Sequence, residues 1–447
     1  MAERDAELPG KVIRKISNSA AMQLSREESM RPNKIVCMML LTLCVRVAVG
    51  VEQKMTNASL VISIDRASWE KWGFQYPVTY VFDVSGVAPD ARVGWRDSGT
   101  DPWLPLDQKT SRDFFNGVEC VRFDIQAGKA YISVGFKNAP TIELQFANVG
   151  SVKFVSTAKY YDNRQAAYTL SNDNWGCNPW ANPGAPWKGE TDDASDNYQV
   201  ALHVCRSFHL PVSIAINSRS AGGESTWKLM QEELDRQDNS WEPAVHGQTH
   251  PKDANQYSVR GYRAEIFGCR EDILQHLHRI PYGGRIFEHI LTTGYVDDEI
   301  LRLDTGEFLF VRGFNWLDNP TSIAWVPWNE QRRFYGVGGL NTKGYDRIME
   351  QREPKGRFCA ADVADLNNAF DHVVERGGVF YALWHPDRFK NSVIYDSSPG
   401  IEGQQGSTLM LHLAHVANRK NLWYVANGWM YSYRYVAERA RVAPGHP

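Results

Sequence analysis

The period of the hydrophobic pattern changes near Asn163, and that break divides what the chain can fold into. From roughly 57 to 157 the pattern is strand-like. Apolar and polar residues alternate strictly in Ile142-Glu143-Leu144-Gln145-Phe146, while Val78-Thr79-Tyr80-Val81-Phe82 and Tyr131-Ile132-Ser133-Val134-Gly135-Phe136 are rich in β-branched and aromatic types. Turn formers at Ser85-Gly86 and Asp97-Ser98-Gly99-Thr100 separate such runs. The stretch 51–160 therefore predicts an all-β sandwich, acting as support or shaping a substrate edge.

After the break, strands and helices alternate. Ala166 to Leu170 reads as a short apolar strand, Tyr198 to Phe208 has helical period, and Val212-Ser213-Ile214-Ala215-Ile216 reads as a buried strand. Thr226 to Asp235 is again helical, and Pro243-Ala244-Val245 runs into a pair of histidines. Over 161–440 this predicts a parallel α/β sheet or barrel whose chemistry sits on loops at the strand C-termini.

Charge removes one class of partner. With 49 basic and 52 acidic residues the formal net charge is -3, so no surplus of cations exists to hold a nucleic acid backbone. Fifteen Trp, nineteen Tyr and nineteen Phe supply faces that suit sugar rings, although most will serve cores.

The start of the chain reads as an export signal. Arg31-Pro32-Asn33-Lys34 is basic, Ile35 to Val45 is apolar, and Ala48-Val49-Gly50 offers small residues to a peptidase. Met30 directly precedes this unit, so Met30 is the expected true start, with 1–29 a polar extension and 1–50 absent from the mature protein. The apolar run is short and ends at Arg46, so no stable membrane span is expected. A periplasmic, cell-envelope or secreted location follows. Removing this segment takes Cys37 and Cys44 and leaves five thiols, too widely spaced for a zinc framework. Cys177 with Cys205 is the disulfide to test first, although connectivity is not legible in sequence.

The chemical residues fall in four places. His246-Gly247-Gln248-Thr249-His250 sets two imidazoles four residues apart, a spacing that can grip one metal ion but also fits an ordinary turn. Ala167-Tyr168-Thr169-Leu170-Ser171-Asn172-Asp173-Asn174-Trp175 ends the first strand of the alternating region. Arg279-Ile280-Pro281-Tyr282-Gly283 follows the histidines, and Gly377-Gly378-Val379-Phe380-Tyr381-Ala382-Leu383-Trp384-His385-Pro386 closes a late strand.

In this order and spacing the four segments resemble the polysaccharide deacetylases of the NodB-homology type, carbohydrate esterase family 4. That family carries Asp-Asp-Gly, His-(Ser/Thr)-x-x-His, Arg-x-Pro-(Tyr/Phe)-Gly and a late Leu-x-His. Phe208-His209-Leu210-Pro211-Val212 and Asn421-Leu422-Trp423-Tyr424-Val425 resemble its connecting segments, so the likeness spans roughly 163–437. It implies a distorted (β/α) barrel and a metal-dependent hydrolase that removes acetyl groups from N- or O-acetylated sugars of a polysaccharide. Asp173, His246 and His250 would hold a divalent ion, zinc first, with cobalt and nickel also suited to such donors. His385 matches the acid that protonates the leaving amine. Arg279 matches the arginine that pairs with the base carboxylate, and Trp175, Tyr282 and Trp384 would touch substrate.

The sequence departs from the family at the base. Aligning Trp175 with an aromatic that follows Asp-Asp-Gly sets Asn172 in place of the first Asp and Asn174 in place of Gly, and an amide cannot take a proton from water as a carboxylate does. Three readings stay open. Asn172 replaces the base, with weak activity or help from an Asp at 192–196; or Asp173 is itself the base; or the chain binds sugar without hydrolysing it. Gly247 likewise stands where the family has Ser or Thr. The loop from Trp175 to Trp187 carries three Trp and suits a substrate rim or simple packing, while 192–196 suits a solvated helix start better than a calcium loop. His276, His278, His412 and His415 read as helix residues without partners. Two rivals to the deacetylase remain: a carbohydrate-binding protein on the same fold, and a carbon-nitrogen hydrolase of small cyclic amides.

Overall fold

The computed structural model describes residues 58–97, 101–109, 117–175, 202–220, 224–236, 241–251, 261–292, 298–304, 306–312, 360–384 and 408–445. The proposed export segment, Cys177, the Trp-rich loop, the acidic run at 192–196 and His385 lie outside these residues. Only the backbone is described at Asn174, Trp175, Leu383 and Trp384.

The first region is antiparallel. Its strands are β1 (Ala58–Ser63), β2 (Val78–Arg96), β3 (Leu104–Pro105), β4 (Cys120–Asp124), β5 (Lys129–Val134) and β6 (Thr141–Thr157). The alternation read in β6 is real: Ile142, Leu144 and Phe146 are buried while Glu143 and Gln145 are partly open. The strand pairing does not confirm the expected pair of facing sheets. Among the described residues they join one sheet, in the order β14-β1-β6-β2-β5-β4 with β3 beside β2, and β14 (Arg441–Pro444) comes from the other end of the chain.

Part of the buried face of this sheet is packed by the last helix, Asn427–Arg439. Trp429, Met430, Tyr433 and Val436 join Tyr76, Tyr80, Phe82 and Ile132 in one buried cluster. Trp423 Nε1 donates to Tyr76 Oη at 2.9 Å, and Tyr433 Oη donates to the Ala158 carbonyl at 2.8 Å. Buried aromatic hydroxyls and indoles need such partners, and the Tyr433 bond ties the helix to the residue that follows β6.

The change of period falls on a tight turn. Asp162 and Asn163 both take left-handed backbone, at φ 51° and 53°, a conformation that Asp and Asn tolerate best among residues with a side chain. The Arg122 guanidinium holds the Asp162 carboxylate at 2.9 Å beneath this turn.

Parallel strands follow: β7 (Ala166–Trp175), β8 (Val212–Ile216), β9 (Trp241–Val245), β10 (Glu288–Ile290), β11 (Phe310–Arg312), β12 (Val379–Trp384) and β13 (Leu422–Tyr424). Their order is β11-β10-β9-β8-β7-β12, with β13 also paired to β7. The sheet curls. On a flat sheet β11 and β7 would lie about 19 Å apart at the usual strand spacing, yet Arg312 of β11 bonds Asp173 of β7.

One face of this sheet packs on helices and the other lines the curl. Tyr168, Leu170, Val212, Ile214, Ile216 and Val245 lie in the large apolar cluster with Phe370, Met230 and Ile266. The inner face is polar at both ends. Thr169, Ser213, Glu242 and Glu288 form its lower layer, Ala215, Ala244 and Ile290 its middle, and Ser171, Asp173, His246, Arg312 and Tyr381 lie toward the strand C-termini. The last helix closes the lower layer. Thr169 Oγ1 donates to Asn427 Oδ1, Asn427 N donates to Ser213 Oγ, and Asn427 Nδ2 donates to Glu288 Oε1.

Candidate functional site

His246 stands one residue past the end of β9, and its backbone N–H still donates to Ile216 O at 3.0 Å, so it inherits the rigidity of the sheet. The chain then turns through Gly247 at φ 81°. A Cβ there would meet Pro251 Cδ at 3.2 Å, which explains glycine where a hydroxyl residue was expected. His250 also takes positive φ, 56°.

The turn is held from two elements. Asn217, just past β8, donates its amide to the carbonyls of His246 and Gly247. The helix Tyr262–His276 supplies Glu265, whose carboxylate accepts from Thr249 N at 2.9 Å and Thr249 Oγ1 at 2.8 Å, and Asp272, which accepts from Gln248 Nε2 at 2.8 Å and Ser218 Oγ at 2.6 Å. A loop with this many fixed bonds presents its side chains in one arrangement.

Within it His246 Nδ1 lies 2.7 Å from the Ile290 carbonyl. A carbonyl only accepts, so Nδ1 carries the hydrogen and Nε2 keeps its lone pair. Burial pushes this imidazole well below its ordinary pKa, against the pull of the Asp173 charge, so it is neutral at physiological pH. The His250 ring lies 5.1 Å away by centroid and nearly perpendicular.

Asp173 is gripped at both oxygens. Ser171 Oγ donates to Oδ1 at 2.9 Å, and buried Arg312 donates to Oδ2. Tyr381 Oη lies 2.6 Å from Ser171 Oγ, and the Arg312 guanidinium carbon sits 5.6 Å from the centre of the Tyr381 ring. Deeper in the curl, burial pushes Glu288 up to about 8, although Arg312 opposes it. Glu242, raised by burial and by Glu288, accepts from Gly428 N at 2.9 Å and Trp429 N at 3.3 Å.

Other expected site residues are placed elsewhere. Arg279 is turned outward: its backbone is left-handed at φ 57°, its neighbour Ile280 takes the buried side, and its guanidinium, 65% exposed, meets Asp235 at 3.5 Å. The cation paired with Asp173 is instead Arg312. Tyr282 packs its ring 5.7 Å from Tyr76 and 5.2 Å from Trp429, against the core under the last helix. Asn172 is buried, and its Oδ1 meets no hydrogen-bond partner among the described residues. Strand alternation sets it on the face of Leu170 and Ile214, away from Asp173. Cys205 is a free, buried thiol rather than half of a disulfide with Cys177. His412 and His415 do have partners, Asn367 at 2.8 Å and Asp371 at 2.9 Å, and His276 bonds the Asp272 carbonyl.

Two imidazoles and a carboxylate suit a divalent cation, and an Nδ1–H held by a carbonyl is how metal-binding histidines are usually oriented. The Asp173 oxygens are turned to Ser171 and Arg312. Among the described residues no group of three or more His, Cys, Asp or Glu stands ready-made around one point.

Such a molecule is a curled parallel α/β fold with an acid, a charged clamp and two histidines at its strand C-termini. No family profile matches the chain, and no curated protein matches it. Among solved structures it is similar to a provisionally named polysaccharide deacetylase from Mycobacterium smegmatis, at 13% identity over 66% of this chain and 98% of that one, with a TM-score of 0.35. It is also similar to a provisionally named polysaccharide deacetylase from Bacillus anthracis, at 12% identity, 57% and 88% coverage and a TM-score of 0.25. A polysaccharide deacetylase from Bacillus cereus is similar at 11% identity, 59% and 88% coverage and a TM-score of 0.24. No helix among the described residues is long and apolar enough to cross a membrane.

Proposed function

We propose that this chain is a metal-dependent deacetylase of acetylated sugar polymers, exported and acting at or beyond the cell envelope. The observation that carries the reading is the presentation of His246: its Nδ1–H is fixed on the Ile290 carbonyl, so Nε2 keeps its lone pair, with the His250 ring beside it and the Asp173 charge acting on it. His246, His250 and Asp173 would hold the ion, with zinc the best match to the donors and cobalt or nickel acceptable. When bound, a divalent ion supplies Lewis acidity toward the acetyl carbonyl and lowers the pKa of its water.

The protein groups do the rest. Arg312 pairs with Asp173 and favours its charged form, as a ligand to a cation requires. Asn172 does not serve as base, because it is an amide on the opposite face of β7. His385, one residue past β12 and outside the described residues, is proposed to protonate the leaving group. Trp175 and Trp384 are proposed to contact the sugar.

The test measures bound metal and acetate release from a panel of acetylated oligosaccharides, for the parent protein, His246→Ala and His385→Ala. Expected are metal and acetate in the parent, neither in His246→Ala, and metal without acetate in His385→Ala. Metal in the parent with no acetate from any substrate would favour a sugar-binding role.

A further inference from the structure

Three buried acids face the inside of the curl, and their partners are unequal. Asp173 accepts from Ser171 and Arg312, and Glu242 accepts from Gly428 N at 2.9 Å and Trp429 N at 3.3 Å. Glu288, 0% exposed, accepts from Asn427 Nδ2 at 3.0 Å on Oε1, while among the described residues its Oε2 meets no hydrogen-bond partner. Arg312, 1% exposed, has the complementary defect. One end of its guanidinium holds Asp173, and among the described residues its Nε–H meets no acceptor. A buried donor and a buried acceptor left open each cost free energy, so each needs a reason.

The register makes the two residues neighbours. β10 and β11 pair in parallel with Glu288 opposite Phe310 and Ile290 opposite Arg312, so Glu288 and Arg312 stand diagonally on one face, a separation that long side chains span. Protonation explains why they are not bonded. Asn427 Nδ2 can only donate, so Oε1 accepts, and the proton that burial keeps on Glu288 belongs on Oε2. Burial pushes this group up to about 8 although Arg312 opposes it. Oε2–H and Nε–H are then both donors. Once the proton leaves, Oε2 becomes a charged acceptor, and Arg312, cationic throughout, offers it Nε–H. The other groups acting on Glu288 bring no second cation. Ser213 on β8 and Asn427 on the last helix bond to it, and Asp173 on β7 raises its pKa. Glu242 on β9, Tyr381 on β12 and Tyr431 on the last helix interact with it without positive charge.

We propose that Glu288 is a pH-gated second acceptor for Arg312: protonated, it leaves the guanidinium to Asp173, and ionised, it binds Nε, draws the guanidinium toward β10 and loosens its hold on Asp173. The device is internal to the curl and stands whether or not an ion binds at the histidines. Its sign follows from the raised pKa. Below about 8 the Asp173 pair is intact, and as pH rises through that value Arg312 becomes shared between two carboxylates. Asp173 then keeps the neutral Ser171 hydroxyl in full and its cation only in part.

The test compares crystal structures of the full chain, parent and Glu288→Gln, at pH 6 and pH 9.5. In the parent the Arg312 bond to Asp173 is expected at pH 6. At pH 9.5 Nε is expected within about 3.0 Å of Glu288 Oε2, with the Asp173 contact lengthened. Glu288→Gln cannot gain a charge and is expected to keep the pH 6 arrangement in both conditions. A solution measurement reads the same event where crystals do not survive pH 9.5: the Nε resonance of Arg312 in arginine-labelled protein, assigned through its contact with the Tyr381 ring. It is expected to shift with a midpoint near pH 8 in the parent and to stay flat in Glu288→Gln. An Arg312–Asp173 pair unchanged at pH 9.5 in the parent would overturn the proposal. So would an Nε signal that is flat in the parent, or one that shifts equally in Glu288→Gln.

Discussion

Arg312 and Arg279 differ by environment, not by type. Arg312 is buried against Asp173, whereas Arg279 sits in solvent against Asp235. Removing one partner of a buried pair strands the other, so Arg312→Gln is expected to destabilise the protein by about 3 to 5 kcal/mol in denaturant titration. It should also abolish acetate release. Arg279→Ala is expected to stay within about 0.5 kcal/mol of the parent and keep its activity. Equal effects of the two substitutions would refute the assignment. Arg279 matches the family's arginine by its place in Arg279-Ile280-Pro281-Tyr282-Gly283; the left-handed backbone at Arg279 itself, which sequence does not reveal, sends the side chain outward.

Glu288 makes a second test at this scale. Burial raises its pKa to about 8, whereas an unfolded glutamate titrates near the usual value of about 4.3. Between those values the folded chain keeps a proton that the unfolded chain loses, so this group's contribution to stability falls as pH rises through that window. Glu288→Gln mimics the protonated form and still has an oxygen for Asn427. Its melting temperature is therefore expected to fall less than the parent's between pH 5 and pH 8, in buffers of equal ionic strength. A parallel decline in both proteins would show that Glu288 is ionised in the fold.

At the scale of elements, the turn 246–250 is the part most dependent on backbone shape. Gly247 at φ 81° leaves no comfortable place for a side chain. Gly247→Ala is expected to cost about 1 to 2 kcal/mol from the left-handed backbone alone, with metal affinity falling as the histidines shift. Unchanged stability would mean the turn relaxes freely. This element was half legible: the histidine spacing and the preceding strand were plain in the sequence. Its supports Asn217, Glu265 and Asp272 were not, because they come from other elements and read as ordinary polar residues. Arg312 did leave a signal, a lone cation ending the apolar run Phe308-Leu309-Phe310-Val311. Ser171 and Tyr381 left less, since alternation marks the face they share only once the strand register is known.

For the whole molecule, the period break at Asn163 correctly separated antiparallel from parallel structure. It did not show that one core joins them. Hydrophobic alternation says that a strand buries a face and is silent about what covers it; here the cover is the helix Asn427–Arg439, with β14 returning to pair with β1. Trp429→Ala is accordingly expected to destabilise by about 3 to 5 kcal/mol. It should also unfold the two sheets in a single transition, followed by far-ultraviolet circular dichroism and Trp fluorescence together. Two separated transitions would mean the regions are independent.

On the proposed function, His246 and His250, beside an Asp173 held by Arg312, bind a divalent ion that serves deacetylation. Elemental analysis of the full chain after chelation and zinc reconstitution tests it most directly, with His246→Ala alongside. One tightly held ion per parent chain and none in His246→Ala is the expected result; a parent chain that holds no ion, or a variant that holds it equally well, would contradict it.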